Sequence, residues 1–262
     1  MPEVGEILKN EVLKGDYYKV VFYVPEICKN TKPGQFVHVK IANLRDRILR
    51  RPFSICDVDV ETGELTVAYK IVGEGTKVLA TLEVGTVCDL MGPLGVSFTP
   101  TKDDEFPVIV AGGYGSAATH ILAKQCVTKG VLLLGARSED DLILMDKFEE
   151  ANFEVRLSTN DGSVGHQGLV TELVEQIIAE NTDNKKLRFY GCGPTPMLMA
   201  LGKMLEDKGY ECELSLDHLM CCGVGACFAC VVKVKANNED GWRYARTCNE
   251  GPVFNSKDVY YG

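Results

Sequence analysis

Four cysteines near the C-terminal end of this 262-residue chain point to a specific chemistry. Cys222, Cys227, Cys230 and Cys248 spell C-x4-C-x2-C, with the fourth thiol after a further seventeen residues. Two sulfide-bridged ferric ions need four thiolates in a compact cage, and this is the spacing of a plant-type [2Fe–2S] centre. Gly223 and Gly225 let the loop wrap tightly, because glycine tolerates left-handed backbone angles. Small Ala226 and Ala229 let backbone N–H groups approach the sulfurs, where hydrogen bonds raise the potential. Zinc and plain free thiols are the alternatives; zinc motifs usually use two C-x2-4-C pairs, and the second pair is absent here. Cys221 is a fifth candidate, but the x4 spacing selects Cys222. Cys28, Cys56, Cys88, Cys126, Cys192 and Cys212 complete the eleven and are scattered. In a reducing compartment, clustering of the other five reads as ligation rather than disulfides.

A second chemistry-bearing stretch is VIVAGGYGSAAT, from Val108 to Thr119. An apolar strand, a glycine turn at Gly112, Gly113 and Gly115, and small residues opening a helix would let a pyrophosphate approach the backbone at a helix N-terminus. Ala118 occupies the last glycine slot of G-x-G-x-x-G, and a tight turn without ligand fits the residues equally well. Gly135-Ala136-Arg137-Ser138 and Gly191-Cys192-Gly193-Pro194 end two later strands, where ligands sit in open α/β sheets. Glu139, Asp140 and Asp141 follow Arg137 and disfavour an added 2′-phosphate, which tilts the reading toward NAD; a solvated helix start explains the same acids. A third stretch, Arg50-Arg51-Pro52-Phe53-Ser54, joins guanidinium groups suited to phosphate with an aromatic ring. Tyr69-Lys70 and then Gly73-Glu74-Gly75-Thr76 follow, the latter opening a short helix. On composition alone these are a surface arginine pair and a helix cap.

The elements that must position these residues fall into three parts. The first hundred residues carry short β-branched and aromatic runs from Tyr17 onward, divided by Gly and Pro, the pattern of a small barrel or sandwich. Thr99 to Pro107 is polar and bounded by prolines at 100 and 107, and reads as a linker. Apolar runs then alternate with helical segments, which is a doubly wound parallel sheet. In the helix from Leu169, apolar Leu169, Val170, Leu173, Val174, Ile177 and Ile178 form one face. The last fifty or so residues are loop-rich and too few for a large core of their own, so a bound cluster would supply the cross-links. The expected architecture is therefore multidomain: an antiparallel β-barrel over residues 1–101, an α/β parallel sheet over 102–211 and a small cysteine domain over 212–262. With 37 acidic against 28 basic residues and a net charge of −9, nucleic acid is excluded as the main partner. No apolar run is long enough for a membrane helix and no signal-peptide core is present, so a cytoplasmic location is the default expectation.

The ordered set RPFS, VGEGT, AGGYG, LGARSEDDLI, STNDGSVGHQGLVTELV, YGCGPTPM and CGVGACFACVV with the later Cys248 and GPVF resembles the ferredoxin reductase-like flavoprotein family. Within it, the electron-transfer subunits of type B dihydroorotate dehydrogenases match along nearly the whole chain. The resemblance implies an FAD barrel, a central Rossmann-like NAD domain and a [2Fe–2S] domain. By position it implies FAD contacts from Arg51, Pro52, Phe53, Ser54, Ala68, Tyr69, Lys70, Gly75 and Thr76. It likewise implies a nicotinamide site bordered by Gly113, Gly115, Cys192, Gly193 and Pro194, and a cluster on Cys222, Cys227, Cys230 and Cys248. Two departures stand out: Ala118 replaces a frequent proline, and Phe53 replaces a tyrosine, keeping the stacking but losing a hydroxyl.

The implied partner is an FMN-containing catalytic subunit that oxidises dihydroorotate, two copies of each chain forming a heterotetramer. Electrons would pass singly through the cluster to FAD and then as hydride to NAD⁺. No acid–base residue for dihydroorotate is expected in this chain. A related subunit serving sulfide dehydrogenase, glutamate synthase or a hydrogenase is the nearest alternative; a stand-alone reductase or a zinc-stabilised binding module are the others.

Overall fold

Short runs of aromatic and β-branched residues build the first sheet. The structure, a computed structural model, describes residues 1–44, 47–216 and 218–262. Strands β1 (Pro2–Lys14), β2 (Tyr17–Tyr23), β3 (Phe36–Lys40), β4 (Arg51–Ser54), β5 (Asp57–Asp59), β6 (Glu64–Lys70) and β7 (Val87–Leu94) pair antiparallel in the order β4-β3-β7-β1-β2-β6-β5. Helices α1 (Pro25–Asn30) and α2 (Glu74–Ala80) interrupt them. Ile7, Val20, Phe22, Val37, Val39, Leu65, Val67 and Leu90 form the core of this part. Strand β1 escapes the sequence reading, which starts the strands at Tyr17. Of its thirteen residues only Gly5 and Ile7 are buried, so no apolar alternation marks it. On β3 both faces are covered: Val37 and Val39 enter the core, and Phe36 and His38, on the other side, are buried by the C-terminal segment.

The second sheet is built on continuous apolar strands. Its elements are β8 (Glu105–Gly112), α3 (Gly115–Gln125), β9 (Gly130–Ala136), α4 (Met145–Glu150), β10 (Phe153–Thr159), β11 (His166–Gln167), α5 (Val170–Glu180), β12 (Lys186–Cys192), α6 (Thr195–Asp207) and β13 (Glu211–Ser215). All these strands run parallel, in the order β11-β10-β9-β8-β12-β13. Val108, Val110, Val131 and Leu133 pack with α5 and α6 on one face. Ile109, Ala111, Leu132 and Leu134 pack with α3 and α4 on the other. Burial on both faces is what makes these strands read as unbroken apolar runs. Leu169 departs from the expected helical face. It precedes the first turn of α5 with extended backbone, and is exposed.

Two boundaries differ from the sequence reading. The segment taken as a linker is partly strand, since β8 starts at Glu105, and Thr99 is held on both sides. Its N–H donates to Glu213 Oε2 at 2.8 Å and its carbonyl accepts from the Tyr190 hydroxyl at 2.8 Å. The expected break between residues 211 and 212 falls inside β13, because Cys212 pairs in register with Phe189 in the sheet. The C-terminal segment then adds a hairpin, β14 (Val231–Lys235) with β15 (Trp242–Arg246), and returns strand β16 (Val253–Asn255) antiparallel to β13. No helix among the described residues is long and apolar enough to cross a membrane.

Candidate functional site

Strands β8, β9 and β10 step one way across the sheet and β12 and β13 the other, so the order reverses between β8 and β12. A crevice opens at the carboxyl ends of strands at such a reversal. Gly112, Gly113, Gly135, Arg137, Asn160 and Pro194 line a cavity of about 620 Å³ there. Gly115 does not line it. A side chain on it would place Cβ 2.6 Å from the Cys192 carbonyl carbon, so glycine is what lets α3 start against the end of β12. Of the three acids after Arg137, Asp141 alone lines this cavity. It accepts from Lys70 Nζ at 2.6 Å and from the Tyr17 hydroxyl at 2.8 Å, both from the first sheet. The Lys70 hydrogen bond, helped by Tyr17, holds its carboxyl below the usual range against the opposing effect of burial.

A second cavity, of about 270 Å³, lies between the first and second sheets. Arg51, Pro52, Phe53 and Ser54 of β4 line it, with Ala68, Tyr69 and Lys70 of β6 and Thr76 of α2. Cys192 and Gly193 line it from the opposite side, so two of the residues expected at the nicotinamide site face the same space as the β4 motif. Tyr69 forms an aromatic wall, stacked on Tyr18 and tilted against Phe53, each at 5.8 Å between ring centres. Arg50 is tied to Asp89 at 2.5 Å. Arg51 instead donates to the Leu49 carbonyl and has no carboxylate partner among the described residues, which leaves a cation for an anionic ligand. Gly75 lies behind the wall: a Cβ there would sit 3.1 Å from Arg51 Nε. Thr76 caps α2, its hydroxyl accepting from the N–H groups of Val72 and Gly73. Lys70, which the resemblance gives to FAD, has its ammonium engaged by Asp141 while its side chain still borders the cavity.

Lys70, Val72 and Tyr114 line both cavities, so the two adjoin. Tyr114 and Phe36 escaped the sequence reading. Tyr114 stands in the glycine turn already noted, and its aromatic character among glycines was the available signal. Phe36 carried no such mark, because its importance comes from what packs on it.

The cysteines close the site on the third side. Hairpin pairing sets Val231 opposite Arg246, and the Thr247 N–H donates to the Cys230 carbonyl at 2.8 Å. Cys248 is thereby carried back beside Cys230. Gly223 and Gly225 both take positive φ, and the Arg246 guanidinium donates to the Gly225 carbonyl at 2.9 Å. N–H groups converge on the sulfurs: Gly225 donates to Cys248 Sγ at 3.2 Å and Val224 to Cys222 Sγ at 3.5 Å. Burial opposes ionisation of Cys222, but the N–H groups of Val224, Cys227 and Ala226 and the Cys227 thiol outweigh it and lower its pKa to about 6. Burial and the adjacent Cys230 thiol push Cys248 up to about 12.

The Cys227 thiol acts on Cys222, the outer pair, and the Cys230 thiol acts most on Cys248, the inner pair, while the charge of Cys222 reaches Cys248 as well. Among the described residues no three His, Cys, Asp or Glu side chains converge around a point that would hold a single metal ion. Four such thiols can supply two thiolates to each of two irons. Two buried donors beside the loop, the His38 ring and the Thr247 hydroxyl, have no partner among the described residues. The inner pair is packed by Phe36 and Met220. Those two side chains also line the 270 Å³ cavity. The outer pair faces the surface, where Cys227 is exposed. Trp242 is not at this end: it pairs with Lys235 at the far end of the hairpin, with Lys233 Nζ 3.8 Å from its ring centre.

Residues 217–260 match the model of the iron–sulfur cluster binding domain of dihydroorotate dehydrogenase B. The chain is 38% identical over 257 residues to the electron transfer subunit of dihydroorotate dehydrogenase B (NAD(+)) from Fusobacterium nucleatum subsp. nucleatum, covering 96% of this chain and 95% of that one. The subunit of the same name from Bacillus cereus strain G9842 is 37% identical over 258 residues, covering 95% and 94%. Among solved structures, the NADH-dependent reduced ferredoxin–NADP oxidoreductase, studied for flavin-based electron bifurcation, superposes with a TM-score of 0.85 at 27% identity, covering 99% of this chain and 90% of that one. With its cysteine pairs set behind a cavity between two sheets, and with this similarity along almost its full length, the chain belongs to the family of dihydroorotate dehydrogenase B electron transfer subunits.

Proposed function

We propose that this chain relays electrons between NAD and an FMN-containing catalytic subunit that oxidises dihydroorotate, using FAD in the 270 Å³ cavity and a [2Fe–2S] centre on Cys222, Cys227, Cys230 and Cys248. Bound FAD joins two kinds of chemistry, since nicotinamide exchanges a hydride and an iron–sulfur centre one electron at a time. The residues of the chain hold, orient and insulate. Arg51 meets the flavin's phosphates as a charge with no carboxylate partner among the described residues. Phe53 and Tyr69, tilted against each other, give the isoalloxazine an aromatic wall, and the first sheet serves as the FAD barrel. Gly113 and Pro194 border the dinucleotide in the 620 Å³ cavity, with the start of α3 facing its phosphates. Gly115 keeps α3 against β12, and Cys192 and Gly193 border the place where nicotinamide must meet the flavin ring, a task of positioning.

The observation that carries this reading is the double membership of Phe36 and Met220. One layer of side chain separates the cavity from Cys230 and Cys248, and keeps water out of the gap. Beyond the outer pair, exposed Leu219, Val224 and Phe228 surround the loop and form the surface offered to the catalytic subunit. The assembly is two copies of each chain. Eleven cysteines, five of them clustered for ligation rather than disulfides, suit a reducing, cytoplasmic setting. Co-expression with the FMN-containing subunit tests the proposal. The complex is expected to reduce NAD⁺ with dihydroorotate at least about 100-fold faster than the summed separate chains, as a relay across two subunits requires. Equal rates from either chain alone would contradict it.

A further inference from the structure

His38 is fully buried, and neither ring nitrogen has a hydrogen-bond partner among the described residues. An imidazole carries an N–H whichever tautomer it adopts. Leaving such a donor unmade in a buried place costs about 1–3 kcal/mol, and folded proteins seldom leave one without a reason.

The surroundings narrow the missing acceptor. His38 sits on the face of β3 that turns away from the first core, beside Phe36, whose ring meets the imidazole edge-on at 5.8 Å. Phe36 packs on Cys230 and Cys248. Across from the imidazole lies Gly223, next in sequence to Cys222. A methyl group there would stand 2.8 Å from His38 Nδ1 and Cε1. The missing side chain at 223 and the ring at 38 are therefore one steric fit, made between the first sheet and the cysteine loop. His38 is not among the residues lining the 270 Å³ cavity. Burial, and then the charge of Arg50, lower its pKa to about 4, so the ring is neutral at physiological pH.

We propose that His38 donates a hydrogen bond to the sulfur shell of the [2Fe–2S] centre beside Gly223, and that this contact both seats the cysteine loop on the first sheet and raises the centre's reduction potential. The inference rests on the cluster assignment above. Its physics is that of a neutral donor next to a group whose negative charge grows on reduction: the bond strengthens in the reduced state and favours it. His38 is a positioning residue and takes no part in chemistry on any substrate.

The test is a redox titration of the anaerobically purified protein, with the cluster followed by electron paramagnetic resonance. His38→Leu keeps much of the volume and removes the donor. At a fixed potential it is expected to shift the reduced-to-oxidised ratio of the cluster about tenfold toward the oxidised form, or about 59 mV for one electron. His38→Gln keeps an N–H and is expected to recover more than half of that shift. The flavin midpoint, read in the same samples, is expected to stay in place. Equal cluster midpoints for wild type and His38→Leu overturn the proposal. If the leucine variant fails to fold or load, pulsed resonance of the reduced wild-type protein labelled with ¹⁵N-histidine decides. A histidine nitrogen coupling that persists in His218→Gln supports the contact, and its absence overturns it. A wild-type protein without any [2Fe–2S] signal would instead remove the cluster assignment, so the two failures are distinct.

Discussion

Replacing Cys227 by serine is expected to remove the iron–sulfur spectrum and to lower dihydroorotate-dependent NAD⁺ reduction by the complex about 100-fold or more, because the single-electron path is cut. The position isolates the effect well. Cys227 is exposed, so its replacement opens no cavity and disturbs no core packing. Its sulfur partners Cys222, whose thiolate is already favoured by three backbone N–H groups, so the loss falls on the iron held by the outer pair of thiols. Flavin absorption is expected to survive, since the cavity residues lie on the other side of Phe36 and Met220. Iron analysis, visible spectra and steady-state assay of the complex check this together. Unchanged iron content in Cys227→Ser would contradict the ligand assignment.

The second large effect is expected at Gly115. In Gly115→Ala the new methyl would meet the Cys192 carbonyl and stand 3.1 Å from the Gly193 nitrogen, all backbone atoms that cannot turn aside. Either α3 moves off the end of β12 or β12 bends, and overpacking of this kind costs about 1–3 kcal/mol in stability. The functional cost is larger, because in the proposed relay the same junction sets where nicotinamide meets flavin. A displacement of about 1 Å is enough for a roughly 100-fold fall in kcat/KM for NADH. Gly113→Ala is the useful contrast. Gly113 has φ of +53°, with the Tyr17 hydroxyl oxygen 3.9 Å from a built Cβ. That substitution carries backbone strain of about 1–2 kcal/mol without a collision, so a milder loss is expected. Steady-state kinetics on NADH with both variants is the check. Gly115→Ala within threefold of wild type would refute the steric argument.

What was legible in the sequence is what is local. The cysteine spacing is a covalent constraint on one loop and its hairpin, so it could be read directly. The apolar runs from Val108 and Val131 mark buried parallel strands because each must be covered on both faces. The residues that escaped owe their importance to elements meeting in space. His38 and Phe36 look like ordinary strand residues until the cysteine loop is laid over β3. Asp141 was read for its sign alone, and its partners Lys70 and Tyr17 lie on a different sheet. Cys212 was grouped with the cysteine segment by proximity in sequence, whereas its strand completes the parallel sheet. Strand β1 offered almost no apolar pattern because most of its side chains face solvent.

The central claim is that a site for two-electron exchange and a site for one-electron exchange lie in contact within this one chain. The most direct measurement adds NADH anaerobically to the purified protein and records its low-temperature electron paramagnetic resonance. The expected result is the rhombic signal of a reduced [2Fe–2S] centre, integrating to about one unpaired electron per chain. A sample that bleaches its flavin yet shows no such signal, or that contains zinc in place of iron, would contradict it.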